Sequence, residues 1–135
     1  MIQWSYILNI VGTINLDIFK SVSPDITTNE VIFNDDRIDH VKTDHPGDYE
    51  LFSKHIAAIL NNPDYILKAN RPNSAVLLSK ILPCGTKLKL VLRLNTSSDP
   101  PEYKNSIITF MKIRNKEWRR ITKSKNILYI SPSLC

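Results

Sequence analysis

Two cysteines are too few to staple a domain. Cys84 follows Pro83 in an expected turn and Cys135 ends the chain. Neither has a partner at metal-ligand spacing, so the sequence offers no disulfide framework and no cysteine-based metal site. Free thiols in a reducing compartment are the expectation, and with them a cytoplasmic location in the producing or target cell. Long apolar runs are also missing. None approaches the roughly 20 residues of a membrane-spanning helix, so no membrane partner is expected. The opening MIQWSYILNIVGTINL is apolar but lacks a basic leader and a clear small-residue cleavage site, and it reads as structure rather than as a signal peptide. Repeats and low-complexity segments are absent.

What is present is charge sorted by position. At 135 residues, 42% hydrophobic and 23% charged, the chain has the size and composition of one globular domain over residues 1–135. Its formal net charge of +5 hides an uneven split. Residues 1–66 hold 4 Lys/Arg against 10 Asp/Glu, whereas residues 67–135 hold 14 against 3. Such a chain can turn one positive face to a polyanion. The plainer alternative is that basic strands pair with acidic helices inside one electrically balanced domain.

The apolar run Ile7–Val11 ends at Gly12, and Asn15–Lys20 has both helical and extended character. Thr28–Phe33 reads as a strand leading into a helix capped by Asn34 or Asp35 and stopped by Pro46. On that helix Arg37, His40 and Asp44 recur at spacings of three and four, with Ile38 and Val41 on another face. The stripe describes a helix that anchors on a core and presents polar groups at its rim. A second helix is expected from about Asp48 to Leu60 on the spacing of Tyr49, Phe52, Ile56, Ile59 and Leu60. The period then changes to two. Strands are expected at Asp64–Lys68, Ser74–Leu82, Lys87–Asn95, Asn105–Arg114 and Ile127–Ile130. Asn70–Asn73 should be a turn, Thr96–Tyr103 a loop and Lys116–Lys125 a basic segment. Helices first and strands afterwards predict an α+β domain: N-terminal helices on one face of an antiparallel sheet of about four strands, with the other face left for a ligand.

In KLKLVLRLN, Leu88, Leu90, Leu92 and Leu94 share one face, so Lys89, Arg93 and Asn95 point together from the other. If Arg93 and Thr109 sit on neighbouring strands and face the same way, a forked guanidinium and a hydroxyl make a phosphate site, to which Lys80 could add a cation. An electropositive pocket with one imidazole suits RNA cleavage by internal attack. A base takes the 2′-hydroxyl proton, cations stabilise the crowded phosphorane and an acid protonates the leaving oxygen. Histidine suits the exchange because its unperturbed pKa is about 6.5.

The ordered blocks DDRIDHVKTDHPGDY, NNPDYILK, RPNSAVLLSK, LVLRLNTSSDPPEYKNSIIT and NILYIS resemble the phage-encoded branch of the barnase/EndoU/colicin/RelE-like ribonucleases over roughly Thr28 to Ser131. The resemblance implies a compact metal-independent RNase of barnase/RelE-like architecture that needs no cofactor and serves a phage or mobile element as toxin or effector. It implies His40 as the catalytic histidine, Arg93 and Thr109 as phosphate-site residues, and Lys80 and Ser106 as helpers. RNA is the implied partner, and a toxin role would call for an immunity or antitoxin protein as well.

Each residue also has a plainer reading. His40 could simply pair with Asp36 or Asp44, and His45 could cap its helix instead of joining catalysis. Arg93 could pair with an acidic helix residue, Thr109 could serve the strand through its β-branch, and Ser106 shares the parity of Phe110 and could be buried. Arg37, Lys89, Asn95, Arg119, Arg120 and Tyr129 are candidate RNA contacts. Arg119 and Arg120 could equally be solvated beside an anchoring Trp118, and Tyr129 could be core. Two other functions compete with cleavage by His40. One is RNA or partner binding without catalysis, which needs only the basic face. The other is metal-dependent hydrolysis by Asp39, His40, Asp44 and His45, for which the five-residue gap between the histidines is unsuitable.

Overall fold

The structure, a computed structural model, describes residues 10–134. In chain order it runs through β1 (Ile10–Thr13), the one-turn helix α1 (Leu16–Phe19), β2 (Glu30–Ile32), α2 (Asp35–Asp44) and α3 (Asp48–Phe52). A 3-10 turn (Ser53–His55) then leads to α4 (Ile56–Asn61), β3 (Tyr65–Lys68), β4 (Ser74–Ile81) and β5 (Thr86–Arg93). The chain closes with β6 (Asn105–Ile113), α5 (Asn115–Thr122), β7 (Ile127–Ile130) and a second 3-10 turn, Pro132–Leu134.

The α+β class holds, but the expected antiparallel sheet of about four strands is wrong. The sheet has seven strands in the order β1-β2-β6-β5-β4-β3-β7, and it is mixed, because β2 pairs with β6 in parallel. All its other pairings are antiparallel. The segments expected as strands at Thr28–Phe33 and Ile127–Ile130 join the sheet as β2 and β7, and β1, a four-residue edge strand, is the one with no expectation behind it. The parallel pair joins two segments far apart in the chain, and no turn signal announces it. It is also brief: only Val31↔Asn105 and Ile32↔Ser106 are in register. The chain then turns into α2, which packs against β6.

The leucine alternation of β5 builds the centre. Leu88, Leu90, Leu92 and Leu94 are fully buried, together with Leu77, Ile66, Ile107 and Phe110 from the neighbouring strands. Val41 of α2, the α4 residues Ile56, Ile59 and Leu60, and half-buried Tyr49 and Phe52 of α3 complete this core. Burying each such side chain stabilises the fold by about 1.5–3 kcal/mol. The expected helix from Asp48 to Leu60 is broken at Ser53–His55, and the break turns α4 onto β1. Gly12 permits that approach. A Cβ there would lie 3.1 Å from Leu60 Cδ1 and 3.3 Å from the Ala57 Cα. The ambiguous Asn15–Lys20 segment is helical for one turn, with Asn15 Oδ1 accepting from Asp17 N at 3.1 Å.

The opposite face is only partly open. The basic segment is the helix α5, and it covers one end of this face through a second core of Leu67, Leu78 and Ile113 with Tyr65, Trp118 and Ile121. Trp118 meets Tyr65 edge-on at 5.7 Å, so it anchors the helix to the sheet. The uncovered remainder carries the cations.

Candidate nucleic-acid interface

A cleft of about 860 Å³ opens on the face of the sheet that α5 leaves uncovered. Val76, Val91 and Ile108 line it with apolar surface, and Arg37, Lys68, Arg71, Lys89 and Arg93 bring five cations to it. They come from different elements. Arg37 is on α2, Lys68 ends β3, Arg71 sits in the β3–β4 turn, and Lys89 and Arg93 alternate with the buried leucines of β5. The turn itself forms one wall. Asn73 adopts a left-handed φ of 55°. Its Oδ1 accepts from Ser23 Oγ, and its carbonyl accepts from Leu94 N at 2.8 Å.

Arg93 is half-buried and held in place. Its Nη2 donates to Asp99 Oδ1 at 3.0 Å and its Nη1 donates to the carbonyl of Leu94. Asp99 is itself fixed by the loop it belongs to: its Oδ2 accepts from Thr96 N at 2.9 Å and from Thr96 Oγ1 at 3.2 Å. The Thr96 amide, followed by the Arg93 charge, holds the Asp99 carboxyl below its ordinary pKa and outweighs the opposing effect of burial. The loop is tied down by two buried asparagines. Asn105 donates to the carbonyls of Thr28 (2.8 Å) and Glu30 (3.0 Å) and accepts from Asn95 N (2.8 Å). Asn95 Nδ2 donates to Thr27 Oγ1 at 2.8 Å.

A bulge decides which β6 residues share the face of Arg93. Val91 pairs with Thr109 and Leu92 with Ile107, so Ile108 is the extra residue. Beyond it the alternation is reversed. Ser106, opposite Arg93, and Thr109, opposite Val91, therefore both lie on the cleft side, while Ile107 and Phe110 are buried on the helix side. Simple parity would have put Ser106 with Phe110.

The other expected residues are placed less uniformly. His40 lies one helical turn beyond Arg37 on α2. Its side chain is 70% exposed, its Nδ1 is 4.0 Å from Asp44 Oδ2, and it is outside the residues that line the cleft. His45 caps the end of α2, its backbone N donating to Val41 O at 2.8 Å. Lys80 pairs with Lys87, six residues along β4 from Ser74, the partner of Arg93. That separation is about 20 Å of strand, so Lys80 does not join Arg93. Asn95 is turned inward and is 4% exposed. Tyr129 pairs with Ile66 and packs in the helix-side core. Lys89 reaches Glu117 of α5 at 3.3 Å, and Arg120 reaches the same carboxylate at 3.8 Å. Arg119 is exposed on α5. Sequence reasoning missed Lys68 and Arg71; the available signal was a cation at the end of a strand and another in the turn that follows it. Among the described residues, no three His, Cys, Asp or Glu side chains converge on a point that could hold a metal ion, and no helix is long and apolar enough to cross a membrane.

The sequence model of one family, described as phage-Barnase-EndoU-ColicinE5/D-RelE like nuclease2, matches residues 7–129. No curated protein and no solved structure matches the chain. The chain belongs to this phage-associated nuclease family.

Proposed function

We propose that this member of the nuclease family is a metal-independent endoribonuclease, acting as a toxin or effector of a phage or mobile element. The observation that carries the reading is the meeting of five cations from four parts of the chain in one cleft. A guanidinium held by Asp99 offers forked donors to a phosphate without reorganising at the moment of reaction. Ser106, in register with Arg93, and Thr109, in register with Val91, carry hydroxyls on the same face of the sheet, outside the residues that line the cleft.

The reaction this supports uses the substrate's own nucleophile. The 2′-oxygen bonds to phosphorus as a base removes its proton, and the bond from phosphorus to the 5′-oxygen breaks as an acid protonates that oxygen. The products are a 2′,3′-cyclic phosphate and a 5′-hydroxyl. Arg93 is assigned to the phosphorane charge and His40 to proton transfer. His40 shares its helix with Arg37, which already lines the cleft, and stands roughly 4.5 Å further along the axis. Such a positioned acid–base group gives about 100- to 10,000-fold.

The competing reading is RNA binding without cleavage, and the position of His40 outside the cleft lining is what favours it. Incubation with total RNA in EDTA, followed by mapping of the ends, separates the two. Cyclic-phosphate ends that fall away in His40→Ala support the nuclease. Salt-sensitive binding with intact RNA, or a His40→Ala variant that cuts as fast as the parent, overturns it.

A further inference from the structure

Past Lys89 the cleft continues into a smaller hollow of about 190 Å³ that shares Lys68, Val76 and Lys89 with it. Leu67, Val76 and Ile121 give it apolar walls, and Arg120 stands on its rim. The wall made by α5 is set by the packing of Trp118 and Ile121 in the second core, so the hollow is part of the fold itself. Its far end is closed by Ser124 and Asn126. The Asn126 backbone is fixed there, its carbonyl accepting from Lys68 N at 2.9 Å and its N–H donating to Ser124 Oγ at 3.0 Å.

The geometry points to a second nucleotide subsite, in which an unpaired base lies against Leu67, Val76 and Ile121 while its phosphate meets Lys68 and Arg120. This rests on the reading of Arg93 as a phosphate site, and it adds a requirement for length and strandedness. An apolar recess with cations at its mouth fits a splayed-out base and its backbone. A duplex keeps its bases stacked inside and has none to offer. Lys89 and Arg93 are four residues apart on β5, about 14 Å of strand. A dinucleotide has a single phosphodiester, and with that group at Arg93 no second phosphate is left to meet Lys68 and Arg120, so the hollow stays empty. The substrate is therefore a single-stranded RNA several nucleotides long. Glu117 lies between the two cations at the mouth, 3.3 Å from Lys89 Nζ and 3.8 Å from Arg120 Nη2. It holds both side chains at the hollow and offsets part of their charge.

The test compares kcat/KM on a single-stranded octanucleotide and on a dinucleotide, for the parent chain and for Arg120→Ala and Arg120→Glu. The octanucleotide preference should drop at least tenfold in Arg120→Ala and further in Arg120→Glu. The slope of log kcat/KM against log salt should become shallower by about 0.7 for the lost phosphate contact. Duplex RNA of the same length should compete poorly. An unchanged preference and slope, or duplex competing as well as single strand, overturns the second subsite alone. A parent chain that cleaves neither substrate overturns the phosphate-site reading beneath it.

Discussion

Asn105→Ala should cost more stability than any exposed substitution in this chain. The side chain is fully buried and makes three hydrogen bonds, donating to the carbonyls of Thr28 and Glu30 and accepting from the amide of Asn95. A hydrogen bond contributes about 0.5–1.5 kcal/mol net, and a buried group left without its partner costs about 1–3 kcal/mol. Alanine strands two carbonyls and one N–H, so the expected loss is about 3–5 kcal/mol. Stabilities of whole domains are about 5–15 kcal/mol, so the loss is a large share. Equilibrium urea unfolding followed by tryptophan fluorescence reads it directly. With an m-value of about 1–3 kcal/mol/M, the midpoint should fall by more than about 1 M at unchanged m. A loss below about 1 kcal/mol would refute the reasoning, because it would mean that the junction of β2, β5 and the Asp99 loop does not depend on this amide.

Arg93→Ala should lower single-turnover cleavage by about 100- to 1,000-fold, the usual effect of removing one donor to a developing charge. Arg93→Lys should not restore the rate, because the fork is lost; full activity in either variant would remove Arg93 from the phosphate site. The lowered pKa of Asp99 means that the stability from its carboxylate is present above the unfolded value, about 3.9, and is lost only as pH falls through the lower folded value. An NMR titration should place the Asp99 midpoint below the ordinary range, and a midpoint at or above about 3.9 contradicts the Thr96 and Arg93 contacts. Gly12→Ala forces a methyl against the Ala57 backbone at 3.3 Å and should destabilise by about 1–3 kcal/mol; thermal melts coincident with the parent would show that α4 can yield.

The parts legible in the sequence were those that repeat locally. The leucine alternation of β5 and the Arg37–His40–Asp44 stripe of α2 each declare their buried side within a few residues. The missed parts depend on partners far along the chain. The β6 bulge is a property of pairing with β5, so no count along β6 alone could reverse the parity of Ser106. Asn95 was expected to follow Arg93 outward, but β5 ends at Arg93, and the pull of Thr27 and Asn105 draws the next residues inward. Lys68 and Arg71 join the cleft only because the β3–β4 turn is held level with Leu94 through Asn73. The sheet was undercounted because β2 and β7, though expected as strands, join it through β6 and β3, far from them in the sequence, and β1 is defined by its pairing with β2.

On β5, core and cleft alternate residue by residue: the leucines that hold the strand in place point one way, and Lys89, Val91 and Arg93 line the cleft on the other. Mutational drift at Lys89, Val91 or Arg93 can therefore retarget the surface while the leucines behind it go on supporting the same backbone. Under the proposed function, a lineage can change which nucleic acid this face prefers without disturbing the core, and a laboratory can strip the cleft of its cations and keep a folded, inert decoy of the same shape.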